Sequence, residues 1–197
     1  EDKELVAIDA RGVRYTDLQG QILTKKPKTI DLDSSAAYKG GYSHFMVKEI
    51  LEQPETIASA LRGRISFDPP KVLLQGFPLS TSEIKDLQRV IFIGMGTSYH
   101  ACQVARSWVE HLAGIPAESD NSSEFRYRQP VLNSHTLVVA VGQSGETADT
   151  LAGMQEALRQ GARLITICNV EGSQASQQAE YTLHMRAGLE VGVASTK

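Results

Sequence analysis

The sequence predicts an α/β fold, a doubly wound and mainly parallel five-stranded sheet with helices on both faces. Two observations carry that expectation. From Val90 onward, short apolar runs alternate with stretches of helical periodicity, the order of a parallel sheet built from crossover units. Two of those runs, residues 90–93 and 136–141, lead into turns rich in glycine and hydroxyl groups. The turns are Gly94-Met95-Gly96-Thr97-Ser98 and Gly142-Gln143-Ser144-Gly145-Glu146-Thr147, and each opens a helical stretch.

Ahead of the sheet, residues 5–8 and 13–15 predict two short strands joined around Ala10-Arg11-Gly12, and 21–24 predict a further edge. These pieces are too few to bury a core and read as the last strands of an upstream domain. Residues 25–41 are polar, with Lys25, Lys26 and Lys28 around Pro27 and a Gly40-Gly41 pair, and predict a solvated linker. Helical spacing follows at 44–52 and 55–62, interrupted at Pro54, with Ile50, Leu51, Ile57 and Leu61 as apolar faces. Pro69, Pro70 and Pro78 predict irregular chain over 64–82, before a short helix at 83–88.

Within the sheet region, the strand at 90–93 is followed by a helix over 98–113, with Ala101, Ala105, Trp108 and Leu112 as its inward stripe. Ile115-Pro116-Ala117 starts a second strand, and 123–128 forms a helical turn. The third strand, 136–141, leads to a helix over 147–160 with Leu151, Met154 and Leu158 inward and Gly161 as its stop. A fourth strand (163–168), a short helix (174–179) and a fifth strand (181–185) complete the pattern.

Composition narrows the function. Hydrophobic content of 41% and charged content of 22% are those of an ordinary globular chain, and a net charge of −3 gives no electrostatic case for nucleic acid. Cys102 and Cys168 lie in apolar periodic segments and predict buried free thiols, with no CxxC spacing for a metal. The histidines, His44, His100, His111, His135 and His184, show no metal-ligand spacing, and His100, beside the first turn, reads as a surface or packing residue. No apolar run approaches the ~20 residues of a membrane span, and no signal peptide is visible. The absence of an initiator Met and the helix-start signal at Ala194-Ser195-Thr196-Lys197 lead us to expect an internal piece of a larger protein.

Ligands of doubly wound sheets bind beyond the carboxyl ends of the strands, where both glycine turns fall. Gln143, Ser144 and Gly145 can present consecutive backbone N–H groups, and Thr97, Ser98, Ser144 and Thr147 add hydroxyls. A helix N-terminus contributes about half a positive charge, so the pair of turns predicts a phosphate site without lysine. The simpler alternative makes Ser144 a helix cap and Gly94 a packing glycine, but it leaves the pairing of the turns unexplained. A dinucleotide site is a second alternative, with Gly94-x-Gly96 and an acid at Asp120, although Tyr99 stands where a small residue belongs. No Gly-Lys-Ser/Thr of a P-loop follows either strand. Glu146 is by position a candidate general base but reads more simply as a first-turn partner of the helix dipole, and Glu124 reads as part of an ion network or a subunit contact.

Three motifs, GQSGETADT at 142–150, SEFRYR at 123–128 and GVASTK at 192–197, resemble the first sugar-isomerase (SIS) domain of the glutamine–fructose-6-phosphate aminotransferase family. KGGYSHFMVKEILEQP at 39–54 is similar to that family's approach to its isomerase half. The resemblance implies an SIS-type, flavodoxin-like sheet. It divides the chain into the C-terminal strands of a glutaminase-like domain (1–24), a linker with lead-in helices (25–63) and a first SIS domain (64–197). The implied activity takes ammonia from glutamine, transfers it to fructose 6-phosphate and isomerises the product to glucosamine 6-phosphate, without metal or organic cofactor.

By that resemblance Thr97, Ser98, Gln143, Ser144 and Thr147 hold the sugar phosphate, Val193 and Ser195 line the sugar, and Gly96, Gly142 and Gly145 shape the turns. The family usually carries serine where this chain has Gly142, which removes one hydroxyl from the phosphate site. Its glutaminase cysteine, acid/base residues, ring-opening histidine and Schiff-base lysine have no counterpart in these residues, and Lys197 is not that lysine. The chain is therefore expected to bind sugar phosphate without turning it over, within a cytoplasmic and homodimeric parent. A non-catalytic single-SIS sugar-phosphate sensor is the alternative.

Overall fold

The computed structural model describes residues 3–26 and 38–197, so Pro27 and Lys28 of the expected linker lie outside the described residues. The chain forms two compact units, Glu1–Ser35 and Ala36–Lys197. In the first unit, β1 (Glu4–Asp9), β2 (Gly12–Asp17) and β3 (Ile22–Leu23) make an antiparallel three-stranded sheet. Asp9 closes the hairpin by accepting the Arg11 amide at 2.7 Å and its guanidinium at 2.9 Å. Leu5, Val6, Ile8, Val13 and Ile22 are exposed, as expected of strands too few to enclose a core.

The second unit opens with α1 (Phe45–Leu61), the hairpin of β4 (Ile65–Phe67) and β5 (Pro70–Val72), and α2 (Thr81–Lys85). There follow β6 (Arg89–Gly94), α3 (Gly96–Ala113), β7 (Ala117–Asn121), α4 (Ser122–Tyr127), β8 (Thr136–Val141) and α5 (Ala148–Arg159). The unit ends with β9 (Arg163–Cys168), α6 (Gln174–Gln178) and β10 (Tyr181–His184). The last five strands form one sheet in the order β10-β9-β8-β6-β7, parallel throughout. Counted among themselves they run 2-1-3-4-5, the flavodoxin-like order, with its switch point between β6 and β8.

Period-two alternation divides the core between the two faces. Ile91, Ile93, Val138, Ala140 and Leu164 point to one side and pack with Phe125 of α4, Leu151, Met154 and Ala157 of α5, and Ala175 of α6. Val90, Phe92, Leu137 and Val139 point to the other, against Cys102, Ala105 and Val109 of α3 and Leu79.

Several local expectations are corrected. The inward face of α3 is Cys102, Ala105 and Val109, whereas Trp108 is 64% exposed and Leu112 80% exposed. At Gly94 the helix lies close to β6, where a Cβ would be 3.1 Å from Cys102 Sγ. On α5, Ala157 rather than Leu158 completes the buried face. α1 runs unbroken through Pro54, whose fixed φ suits a helix and removes a single donor. Its expected apolar residues are exposed, and its one buried side chain is Glu49. Segment 64–82 is not wholly irregular, because Pro69 and Pro70 sit at the turn and first strand position, where a missing N–H is tolerated.

Candidate functional site

Parallel pairing sets Gly94 of β6 beside Val141 of β8, so both chains leave the sheet at the switch point. One continues into α3 and the other into α5, and these helices lie on opposite faces. A crevice must open between the two turns. It is an open cavity of about 490 Å³. The first turn contributes Gly96, Thr97 and Ser98, the second Gly142, Gln143, Ser144 and Thr147, and the segment after β10 contributes Val193 and Ser195. Thus every residue singled out from the sequence lines this cavity except Gly145, which lies beneath it, at a small adjoining void.

Gly145 has a structural duty of its own. Its φ is +67°, and a side chain there would meet Ser173, whose Cβ lies 2.7 Å from the required position. Gly142 is the opposite case, since a Cβ there would meet nothing within 4 Å. The second turn is stitched to its neighbours through Gly142 N to Ile167 O (3.0 Å), Asn169 N to Gln143 O (2.9 Å) and Ala175 N to Gly145 O (3.0 Å).

Both helix starts face the cavity without a side-chain cap. The N-cap of α3 is Met95 and that of α5 is Thr147, and neither makes a capping bond. Ser144 does not cap α5: its Oγ accepts the Glu146 amide at 3.1 Å, inside the turn. Glu146 is not a lining residue, because its carboxylate accepts the Gln174 amide (2.9 Å) and side chain (2.7 Å) at the start of α6. Among the described residues no lysine or arginine lines the cavity, which leaves the helix starts of α3 and α5, with their dipoles and N–H groups, as the groups there suited to an anion.

Met95, His100, Val141, Thr150 and Ala194 also line the cavity. His100 lies one helical turn beyond Thr97, which is the signal that could have flagged it, and its Nδ1 is 3.4 Å from Gln103 Oε1. The nearby acids are occupied. Asp149 binds Arg126 at 2.8 Å, a bond that raises the arginine's proton affinity. Asp120, the acid of the dinucleotide alternative, binds Arg128 at 2.5 Å.

Burial pushes the Cys102 thiol up to about 12 and raises that of Cys168 as well, so neither is an activated nucleophile. Among the described residues, no cluster of His, Cys, Asp and Glu could hold a metal ion, and no helix is long and apolar enough to cross a membrane.

Known proteins resemble this chain. The family model described as SIS domain matches residues 83–197. The glutamine–fructose-6-phosphate aminotransferase (isomerizing) of Symbiobacterium thermophilum is 43% identical over 197 residues, all of this chain and 32% of the relative. That of Mycolicibacterium smegmatis is 43% identical over 199 residues, covering 98% of this chain and 31% of the relative. The chain thus spans about a third of the length of these curated relatives.

Among solved structures, the C-terminal domain of glucosamine-fructose-6-phosphate aminotransferase from Francisella tularensis superposes with a TM-score of 0.72 at 34% identity, covering 81% of this chain and 44% of that one. A glucosamine-6-phosphate deaminase from Thermotoga maritima shares the fold, with a TM-score of 0.57 at 17% identity, over 72% of this chain and 40% of that one.

Proposed function

The chain belongs to the SIS domain family, and from that premise we propose that it is the sugar-phosphate-binding part of a glutamine–fructose-6-phosphate aminotransferase. The observation that carries this reading is the convergence of two uncapped helix starts and their hydroxyl groups on one cavity that, among the described residues, has no cationic side chain. Each helix start contributes about half a positive charge, enough together to meet much of a phosphate's charge. Thr97 and Ser98 donate from the first turn, and Gln143, Ser144 and Thr147 from the second, while Gly96 and Gly142 let the backbone approach and Gly145 shapes the turn from below. Val193 and Ser195 contact the sugar.

The cavity orients fructose 6-phosphate or glucosamine 6-phosphate by its phosphate and leaves the carbonyl end toward groups this chain does not supply. No acid or thiol among the described residues lines it: Asp120, Asp149 and Glu146 are tied into ion pairs or the start of α6, and both cysteines are buried. The chain therefore binds without turnover, and the ammonia-releasing and isomerising groups belong to the remainder of the parent enzyme, which we take to be cytoplasmic and homodimeric. The domain division at 1–24, 25–63 and 64–197 belongs to the same proposal. Similarity that extends across the residues ahead of 83 favours this reading over a single-SIS sensor.

Calorimetric titration tests it. Fructose 6-phosphate and glucosamine 6-phosphate should bind while unphosphorylated fructose does not. Hydrogen bonds to a charged acceptor contribute about 1.5–3 kcal/mol each, so a Ser144→Ala/Thr147→Ala double variant should lose at least about a hundredfold in affinity. Undiminished binding by that variant would sink the assignment.

A further inference from the structure

The segment that carries Val193 and Ser195 contains neither helix nor strand, yet it forms one wall of the cavity. Its position must come from elsewhere. Glu49 of α1 is 2% exposed, and its Oε1 accepts two consecutive backbone amides, Val191 N at 2.6 Å and Gly192 N at 2.9 Å. A side chain at Gly192 would overlap Glu49 Oε2, so that carboxylate and that glycine are fitted to each other. Oε2 has no hydrogen-bond partner among the described residues, a cost that α1 does not need for its own sake.

One turn further along α1, Glu52 binds Lys197 Nζ at 2.7 Å, and the Gln53 amide donates to Thr196 O. Glu49, Glu52 and Gln53 share the i, i+3, i+4 face of the helix. Inside the segment, Glu190 Oε1 accepts Thr196 N at 2.6 Å and Lys197 N at 3.2 Å, which closes it into a compact loop.

We propose that Glu49 is a positioning residue for the sugar wall, so that a helix preceding the SIS match decides how well the cavity distinguishes a sugar phosphate from bare phosphate. The proposal rests on the reading of this cavity as a sugar-phosphate site. The two N–H groups that Glu49 fixes immediately precede Val193, and their loss frees Val193 to Ser195 from the cavity. The phosphate cradle, anchored on β6 and β8, stays in place. Glu49 acts through the wall and does not itself line the cavity.

The test compares fructose 6-phosphate with inorganic phosphate by calorimetry on the whole chain. Glu49→Ala should weaken fructose 6-phosphate binding about tenfold and leave inorganic phosphate within about twofold. Glu49→Gln, which keeps an acceptor oxygen, should recover most of the loss, and Gly192→Ala should reproduce it. Equal weakening of both ligands, or no weakening of fructose 6-phosphate, overturns the proposal. If Glu49→Ala fails to fold, Gly192→Ala decides: fructose 6-phosphate binding at the parent level overturns the idea. The Ser144→Ala/Thr147→Ala variant separates the two readings. Loss of both ligands there with Glu49→Ala unaffected removes only the role of Glu49, whereas unimpaired binding in the double variant removes both.

Discussion

The two sides of the cavity are held by different means. The cradle sits at the ends of β6 and β8, whose residues Ile91, Ile93, Val138 and Ala140 are fully buried, and its second turn is stitched to β9 and α6 by backbone hydrogen bonds. The opposite wall, the segment after β10, has no regular structure and is held by side chains of α1 and by Glu190. On the proposed reading, the phosphate seat would rest on the hydrophobic core and the sugar-facing part on a few polar contacts. Changes to the cradle should register in global stability, and changes to the wall in binding or local opening.

The largest effect should come from Gly145→Ala, which combines a left-handed backbone with overlap on Ser173. It should destabilise the chain by roughly 2–4 kcal/mol in urea denaturation and abolish phosphate binding with it. A variant as stable as the parent would contradict the core-anchored description of the cradle. On the other side, Glu190→Ala removes the acceptor of two amides and should cost roughly 1–2 kcal/mol, felt locally. Limited proteolysis should then cut within 187–197 well before the sheet opens, and cleavage elsewhere first would break the comparison.

Gly142→Ser tests the cradle in the opposite direction, since an added Cβ meets nothing. Unfolding should shift by no more than about 0.5 kcal/mol while sugar-phosphate affinity rises several-fold. Affinity no better than the parent's counts against the phosphate seat.

The smallest effect lies at the far end of the sheet. Hydrogen bonds from the Ser80 hydroxyl and amide, with help from Arg163, hold the Glu83 carboxyl at about 2, below its ordinary 4.5. Because the folded value is the lower one, this stabilisation is fully present above about 4.5 and fades as pH falls toward 2. The melting-temperature gap between the parent and Glu83→Gln should therefore shrink across that window, and a gap independent of pH would exclude the linkage.

Regular patterns were legible in the sequence, and contingent packing was not. Strands 136–141 and 163–168 match β8 and β9 residue for residue, because β-branched runs between turn signals have one reading. The glycine turns could be placed at one edge because every parallel crossover returns its strand ends to the same side. By contrast, α3 carries apolar residues on two neighbouring stripes, and periodicity alone does not decide that Cys102 and Val109 rather than Trp108 turn inward. Glu49 left no sequence signal of its structural role, since an acid in an amphipathic helix ordinarily reads as solvated surface. Its partners, Val191 and Gly192, are far away in the chain and are met only through the fold.

The burial of both thiols has a practical consequence. Cys102 and Cys168 are fully covered, and Cys102 holds its proton to about 12, so a maleimide reagent at neutral pH should find almost no target on the folded chain. The molecule is in effect a blank for thiol labelling. A Gly142→Cys variant would place one reactive group on the cavity floor, in space that nothing else fills. Protection of that thiol from the maleimide by fructose 6-phosphate would report occupancy of the site directly, with no turnover required.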